Sequence, residues 1–177
     1  MKKFLIIALV AVMAITGSVF AYTFTTATVT IGVTAIQSDF ANVTANLSAW
    51  TAPKAFGRYT GDWNPPLTLF EISPHGEYTG DLVVHVYLAN TGDLIQRYHH
   101  CNMALEFQDN TATIMDDQQE IQVLTLNNAD VLFEWSSGNG TPPYYVKLTG
   151  GGYRLHPWKA GAGGGVQPQV WCEVTQR

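Results

Sequence analysis

Charge is scarce in this chain: Asp, Glu, Lys and Arg make up 13% of its 177 residues, and acids outnumber bases 14 to 9. So few cations, with a formal net charge of −5, make nucleic acid and anionic membrane surfaces poor partners. Solubility must rest on Thr, Gly, Asn and aromatic side chains, a surface suited to packing against copies of itself. Long hydrophobic runs are missing as well. Beyond the first residues, no stretch approaches the ~20 apolar positions that a membrane-spanning helix needs. No twelve-residue window carries an apolar stripe at helical spacing. There is no His-Glu-x-x-His and no Gly-x-Ser-x-Gly, so the zinc-peptidase and serine-hydrolase signatures are absent. No catalytic residues and no cofactor are assigned, and the chain does not read as an enzyme.

What is present begins with export. Met1-Lys2-Lys3 leads into an apolar segment from Phe4 to about Ile15 and then into Val19-Phe20-Ala21. This is the pattern of a secretory signal peptide covering residues 1–21, with Tyr22 as the new N-terminus. The mature chain is then secreted, without a membrane anchor, and more acidic than the precursor because Lys2 and Lys3 are lost. Residues 22–177 suit one ordinary domain with a sizeable core.

Cysteine is limited to Cys101 and Cys172. Cys101 shares its phase with Met103, Leu105 and Phe107, and Cys172 shares its phase with Val170 and Val174, so both thiols point inward from strands. In an oxidising compartment one bridge could close a loop of about 70 residues and stabilise the fold by ~4 kcal/mol. The alternative is two unpaired buried thiols.

Period-two alternation recurs along the chain. Strands are predicted at Thr23–Ile36, Phe40–Trp50, Leu67–Ile72, Asp81–Ala89, Ile95–Phe107, Ile121–Leu126, Val131–Trp135, Tyr144–Leu148 and Val166–Val174. Turn-rich pieces separate them, among them Ser137-Gly138-Asn139-Gly140 and Thr149-Gly150-Gly151-Gly152. Lys159 to Gly165 reads as a flexible surface loop. Many short strands at this spacing predict an all-β fold, a single jelly-roll or immunoglobulin-like β-sandwich over residues 37–177 with an extended N-terminal strand over residues 22–36.

That leading segment is the most informative. Ala27, Val29, Ile31, Val33 and Ala35 share one small apolar face, while Thr28, Thr30, Gly32 and Thr34 share the other. Fully extended from Tyr22 to Ile36 it would span roughly 50 Å, longer than the ~40 Å diameter of a domain this size. Nothing upstream tethers it after cleavage. Such a strand can act as a donor that pairs with a neighbouring subunit, and head-to-tail repetition of that contact builds a filament of identical subunits. Alternatively Gly32 marks a bulge that splits the segment into two strands of one domain.

Other motifs carry less. Adjacent histidines on a strand point to opposite faces, so His99-His100-Cys101 reads as strand rather than as a metal site. Asp116-Asp117 with Glu120 offers carboxylates for calcium but reads as a solvated turn, and Asp109-Asn110 as a hairpin turn. No metal is assigned. Sequons occur at Asn42, Asn46 and Asn139, the last on a Gly-rich turn best placed for glycosylation. Of the tryptophans, Trp135 shares its phase with Val131 and Phe133 and reads as core. Trp171 lies opposite Cys172 in phase and reads as exposed, an interface anchor or, with Trp158, a platform for glycans.

The stretch Leu69-Phe70-Glu71-Ile72-Ser73-Pro74-His75-Gly76-Glu77-Tyr78-Thr79-Gly80-Asp81-Leu82, followed by Val83 to Leu94 with Asn90-Thr91-Gly92, resembles the "Pro-Gly-Asp, strand, Asn-x-Gly, strand" pattern of the TasA/camelysin family of bacterial matrix-fibre proteins. In this chain the Gly-Asp pair is displaced to Gly80-Asp81. The resemblance spans residues 19–107 and extends to thread-like pilus subunits. It implies a jelly-roll subunit polymerised by donor-strand complementation. A secreted monomeric module that binds carbohydrate or mediates adhesion is the other reading of the sequence.

Overall fold

A computed structural model describes residues 29–47, 49–51, 60–63, 67–76, 78–117, 121–136, 138–156 and 166–177. In chain order the elements are β1 (Thr30–Ala35), β2 (Ala41–Ala45), β3 (Ala49–Thr51), β4 (Thr60–Asp62), β5 (Leu67–Pro74), β6 (Leu82–Leu88), α1 (Thr91–Arg97), β7 (Tyr98–Gln108), β8 (Gln122–Thr125), β9 (Asp130–Trp135), β10 (Tyr144–Leu155) and β11 (Gln169–Gln176).

Two sheets face each other. One runs β3-β1-β11-β6-β9 and the other β2-β5-β10-β7-β8, with β4 added beside β10. The chain changes sheet repeatedly between β5 and β11, which is the double-sheet, Greek-key arrangement of a jelly roll. The all-β sandwich expected from the alternation is therefore the observed fold.

Alternation also explains the core. On β6, Leu82, Val84, Val86 and Leu88 are buried while Val83, His85 and Tyr87 face outward. On β7, Cys101, Met103, Leu105 and Phe107 are buried, and on β11 Val170, Cys172 and Val174 are. Aromatic contacts join the layers: Phe107 meets Phe133 at 5.9 Å, and Trp135 meets Tyr144 at 5.2 Å. Trp135 is core, as its phase implies, and its indole N–H donates to the Asn139 carbonyl at 2.9 Å. Trp63 is fully buried, with its indole N–H on the Asn102 carbonyl.

Three register shifts depart from simple alternation. Leu69 is an extra residue on β5, so that Leu69 and Phe70 are both buried. Thr149 is extra on β10, and His99 is extra on β7. Each bulge lets one strand bend while its neighbours stay paired.

Several expectations are corrected. Phe40–Trp50 is not one strand: β2 lies in one sheet and β3 in the other. Gly150-Gly151-Gly152 is not a turn but the middle of β10, where Gly151 takes φ of 109° and a Cβ would meet the Asn102 carbonyl oxygen at 2.3 Å. Only glycine fits there. Nor is the strand predicted from Ile95 a strand at its start. Asn90 to Arg97 forms the N-cap and body of α1, which buries Leu94 and Arg97 one turn apart and carries the chain between sheets. Asp93 in its first turn and Arg97 in its last suit the helix dipole.

Candidate functional site

β1 occupies an unusual position. It pairs parallel with β11 through Gly32↔Gln169, Val33↔Val170, Thr34↔Trp171 and Ala35↔Cys172, and antiparallel with β3 on its other side. The remaining ladders among the described residues are antiparallel. Since β3 opposes β1 and β1 follows β11, β3 and β11 run in opposite directions. β1 thus fills a slot between two strands that are antiparallel to each other.

The slot is lined for this strand. Val29 and Ile31 are fully buried, Val33 is 5% exposed, and Ala35 is partly buried against the core. Ala27 lies outside the described residues, as do Thr23–Thr28, the signal segment 1–21, Trp158 and the loop from Lys159 to Gly165. The strand runs through Gly32 without a bulge, the Gln169 amide lying over it. Main-chain bonds hold both ends: Gly32 N–H to Pro168 O at 2.8 Å and Ile36 N–H to Cys172 O at 2.8 Å. The Gln167 side-chain oxygen accepts from Thr30 N–H at 2.6 Å. The segment before β11 is itself clamped, since Val166 O accepts from Arg97 and Tyr98, and Asn90 bonds both Gln167 O and Gln169 N–H. Beyond β1 the link to β2 is five residues long, Ile36 to Phe40. It is fixed by Ser38 Oγ on Val174 O at 2.6 Å and by the Phe40–Tyr78 ring contact.

The expected Cys101–Cys172 bridge is not formed; both cysteines are free and buried. Both side chains point inward, as the alternation implies, but they lie on opposite sheets. Facing sheets are about 10 Å apart, whereas a disulfide needs Cβ atoms about 4 Å apart, so inward phase alone does not bring two thiols together. Burial pushes the Cys101 thiol up to about 12, and burial with the nearby Glu173 raises Cys172 as well. In both, burial favours the neutral thiol over the thiolate that would react.

On the outer face of the β1 sheet, aromatic rings form a row. Trp171 and Tyr87 are register partners with ring centroids 6.0 Å apart, and His85 lies 4.8 Å from Tyr87. Trp171 is partly exposed, and Leu132 beside this row is 49% exposed. Asp130 and Glu173 flank the row as register partners of Tyr87 and His85. Burial and the charge of Glu173 raise the Tyr87 phenol.

The sequon residues Asn42, Asn46 and Asn139 are all exposed. Asn42 meets His75 Nε2 at 3.2 Å. Asn139 stands between Gly138 and Gly140, both at positive φ. Asp109 forms the hub of the predicted turn: Oδ1 accepts from Thr111 N–H, Thr111 Oγ and Thr113 N–H, and Oδ2 from Thr141 N–H. Burial alone would raise its pKa, but these bonds outweigh burial and hold it below the ordinary value. Asp116 caps Glu134 N–H, and Asp117 accepts from Ser136 and Arg177, so both carboxylates are used within the fold. Glu120 lies outside the described residues. Among the described residues no three His, Cys, Asp or Glu side chains gather as metal ligands, and no helix is long and apolar enough to cross a membrane.

Sequence reasoning missed the parallel pairing of β1 with β11, which joins residues more than 130 positions apart and leaves no local signal. It also missed the bulge at His99. Compared with known proteins, the chain matches no family model and no curated protein, and its functional reading rests on its own geometry.

Proposed function

We propose that this chain is a structural subunit of an extracellular filament in which the N-terminal strand of one copy fills the β3–β11 slot of the next. The observation that carries the reading is the parallel β1 lodged between two strands of opposite direction. A segment at the leading end of the chain, with buried Val29, Ile31 and Val33 and main-chain bonds on both sides, makes contacts that a neighbour's identical segment reproduces one for one. The contacts being equal, the choice between filling one's own slot and a neighbour's is set by the five-residue link and by concentration. The short motifs resembling the TasA/camelysin family support the same reading.

The test is electron microscopy of the concentrated mature chain beside a version lacking residues 22–36. Filaments from the first and none from the second are expected. Filaments of unchanged morphology from the truncated chain would remove the donor role.

A second reading, a glycan-binding or adhesive surface, is favoured by the Trp171–Tyr87–His85 row on an open sheet face with carboxylates at its margins. Binding on a glycan array that disappears in Trp171→Ala and Tyr87→Ala supports it. An array with no binding above background rejects it.

A further inference from the structure

Alternation predicts that His99 and His100 point to opposite faces, and the bulge overturns this. Because His99 is the extra residue on β7, Tyr98 and Cys101 are both buried while His99 and His100 are both exposed. The pairing of Tyr98 with Leu155 brings the next residue, His156, alongside, and its backbone N–H donates to Arg97 O at 2.9 Å. The His99 and His156 rings meet edge to face, centroids 5.6 Å apart at 67°, at a cleft of about 260 Å³ also lined by Ile95, Thr125 and Asn127.

We propose that His99 and His156 form a two-histidine site for a divalent transition-metal ion. Two imidazoles bound to one tetrahedral ion through metal–nitrogen bonds of about 2.0–2.1 Å place their centroids roughly 5 Å apart. The observed separation is within a few tenths of an ångström of that value, and rotation of the two surface side chains about χ1 and χ2 aims one nitrogen of each ring at a shared ion. Imidazole donors select zinc, nickel or copper, whereas calcium and magnesium need oxygen ligands, and among the described residues no carboxylate lines this cleft. Cys101 also borders the cleft, but its side chain is fully buried in the core, away from the two exposed imidazoles. His100, the backbone register partner of Arg154, also lines the cleft. With two protein ligands the ion keeps open positions for water, or for a donor from a second copy of the chain.

The experiment is titration of the mature chain with zinc chloride and, separately, nickel chloride, followed by calorimetry and by the histidine ring resonances in NMR. Saturable one-to-one binding is expected, with the His99 and His156 resonances moving first and magnesium chloride moving neither. His99→Ala and His156→Ala, each checked for a native circular dichroism spectrum, should weaken zinc at least about tenfold, while His75→Ala and His85→Ala leave it unchanged. Absence of saturable binding, shifts centred on other histidines, or undiminished affinity in either of the first two variants would overturn the proposal.

Discussion

At the scale of single residues, the fold leans on a few polar hubs inside an apolar frame. Asp109 is 3% exposed, and its two oxygens take four hydrogen bonds from Thr111, Thr113 and Thr141. Because its folded pKa is depressed, its contribution is present above the ordinary carboxylate value and fades as pH falls through the folded value. Asp109→Asn should therefore lower the melting temperature at neutral pH and flatten the acid limb of the stability–pH curve. Circular dichroism melts between pH 2 and 7 check both. The alkaline limb has the opposite origin. Cys101 is raised from 9.0 to about 12, so the unfolded chain loses this proton before the folded one does. Its contribution is intact below pH 9 and is lost as pH climbs toward 12, and Cys101→Ser should flatten that decline. Ile31→Ala, in the slot, should cost about 2–5 kcal/mol in a denaturant titration, because the side chain is fully buried. Single residues were also the most legible in sequence. The inward phase of Trp135, Cys101 and Cys172 follows from a period of two, whereas the full burial of Trp63 depends on where β10 passes and has no local sign.

At the scale of elements, what could be read depended on whether the cause was local. β6, β9 and β11 alternate cleanly and lie within two or three residues of their expected bounds. α1 was missed because seven residues beginning Thr91-Gly92-Asp93 look like a turn, and only two of them, Leu94 and Arg97, are buried. The glycine run in β10 was read as a turn because glycine usually marks one. Here it serves close approach, since Gly151 sits at φ 109° over the Asn102 carbonyl. Gly151→Ala should destabilise the protein by at least about 1–3 kcal/mol, through positive φ and backbone overlap together. The same substitution at Gly92, where a Cβ meets nothing within 4 Å, should be close to neutral. Paired urea titrations separate the two. For β1, the sequence revealed an apolar face, while its parallel partner emerged only from the three-dimensional arrangement.

At the scale of the whole molecule, the sheet edges bear on how copies can meet. Along β9, Asp117 N–H bonds Glu134 O and Asp116 caps Glu134 N–H, while Arg177 grips both Asp117 and Glu134. Along β8, Asn128 bonds the Val123 carbonyl and receives Thr125 N–H. Groups engaged in this way resist edge-to-edge pairing along β8 and β9, while β2 and β3 end the same two sheets on the other side; the polymer proposed above forms by exchange of β1. Exchange makes a sharp demand: in the filament, the β1 beside a given β11 must come from another copy. Equal amounts of ¹⁴N and ¹⁵N protein carrying Gly32→Cys with Gln169→Cys, register partners in the parallel pair, are mixed, polymerised and oxidised, and the cross-linked peptides are read by mass spectrometry. Cross-links joining light to heavy peptides in filaments are the predicted result. Filaments whose cross-links join only peptides of the same label would contradict the account.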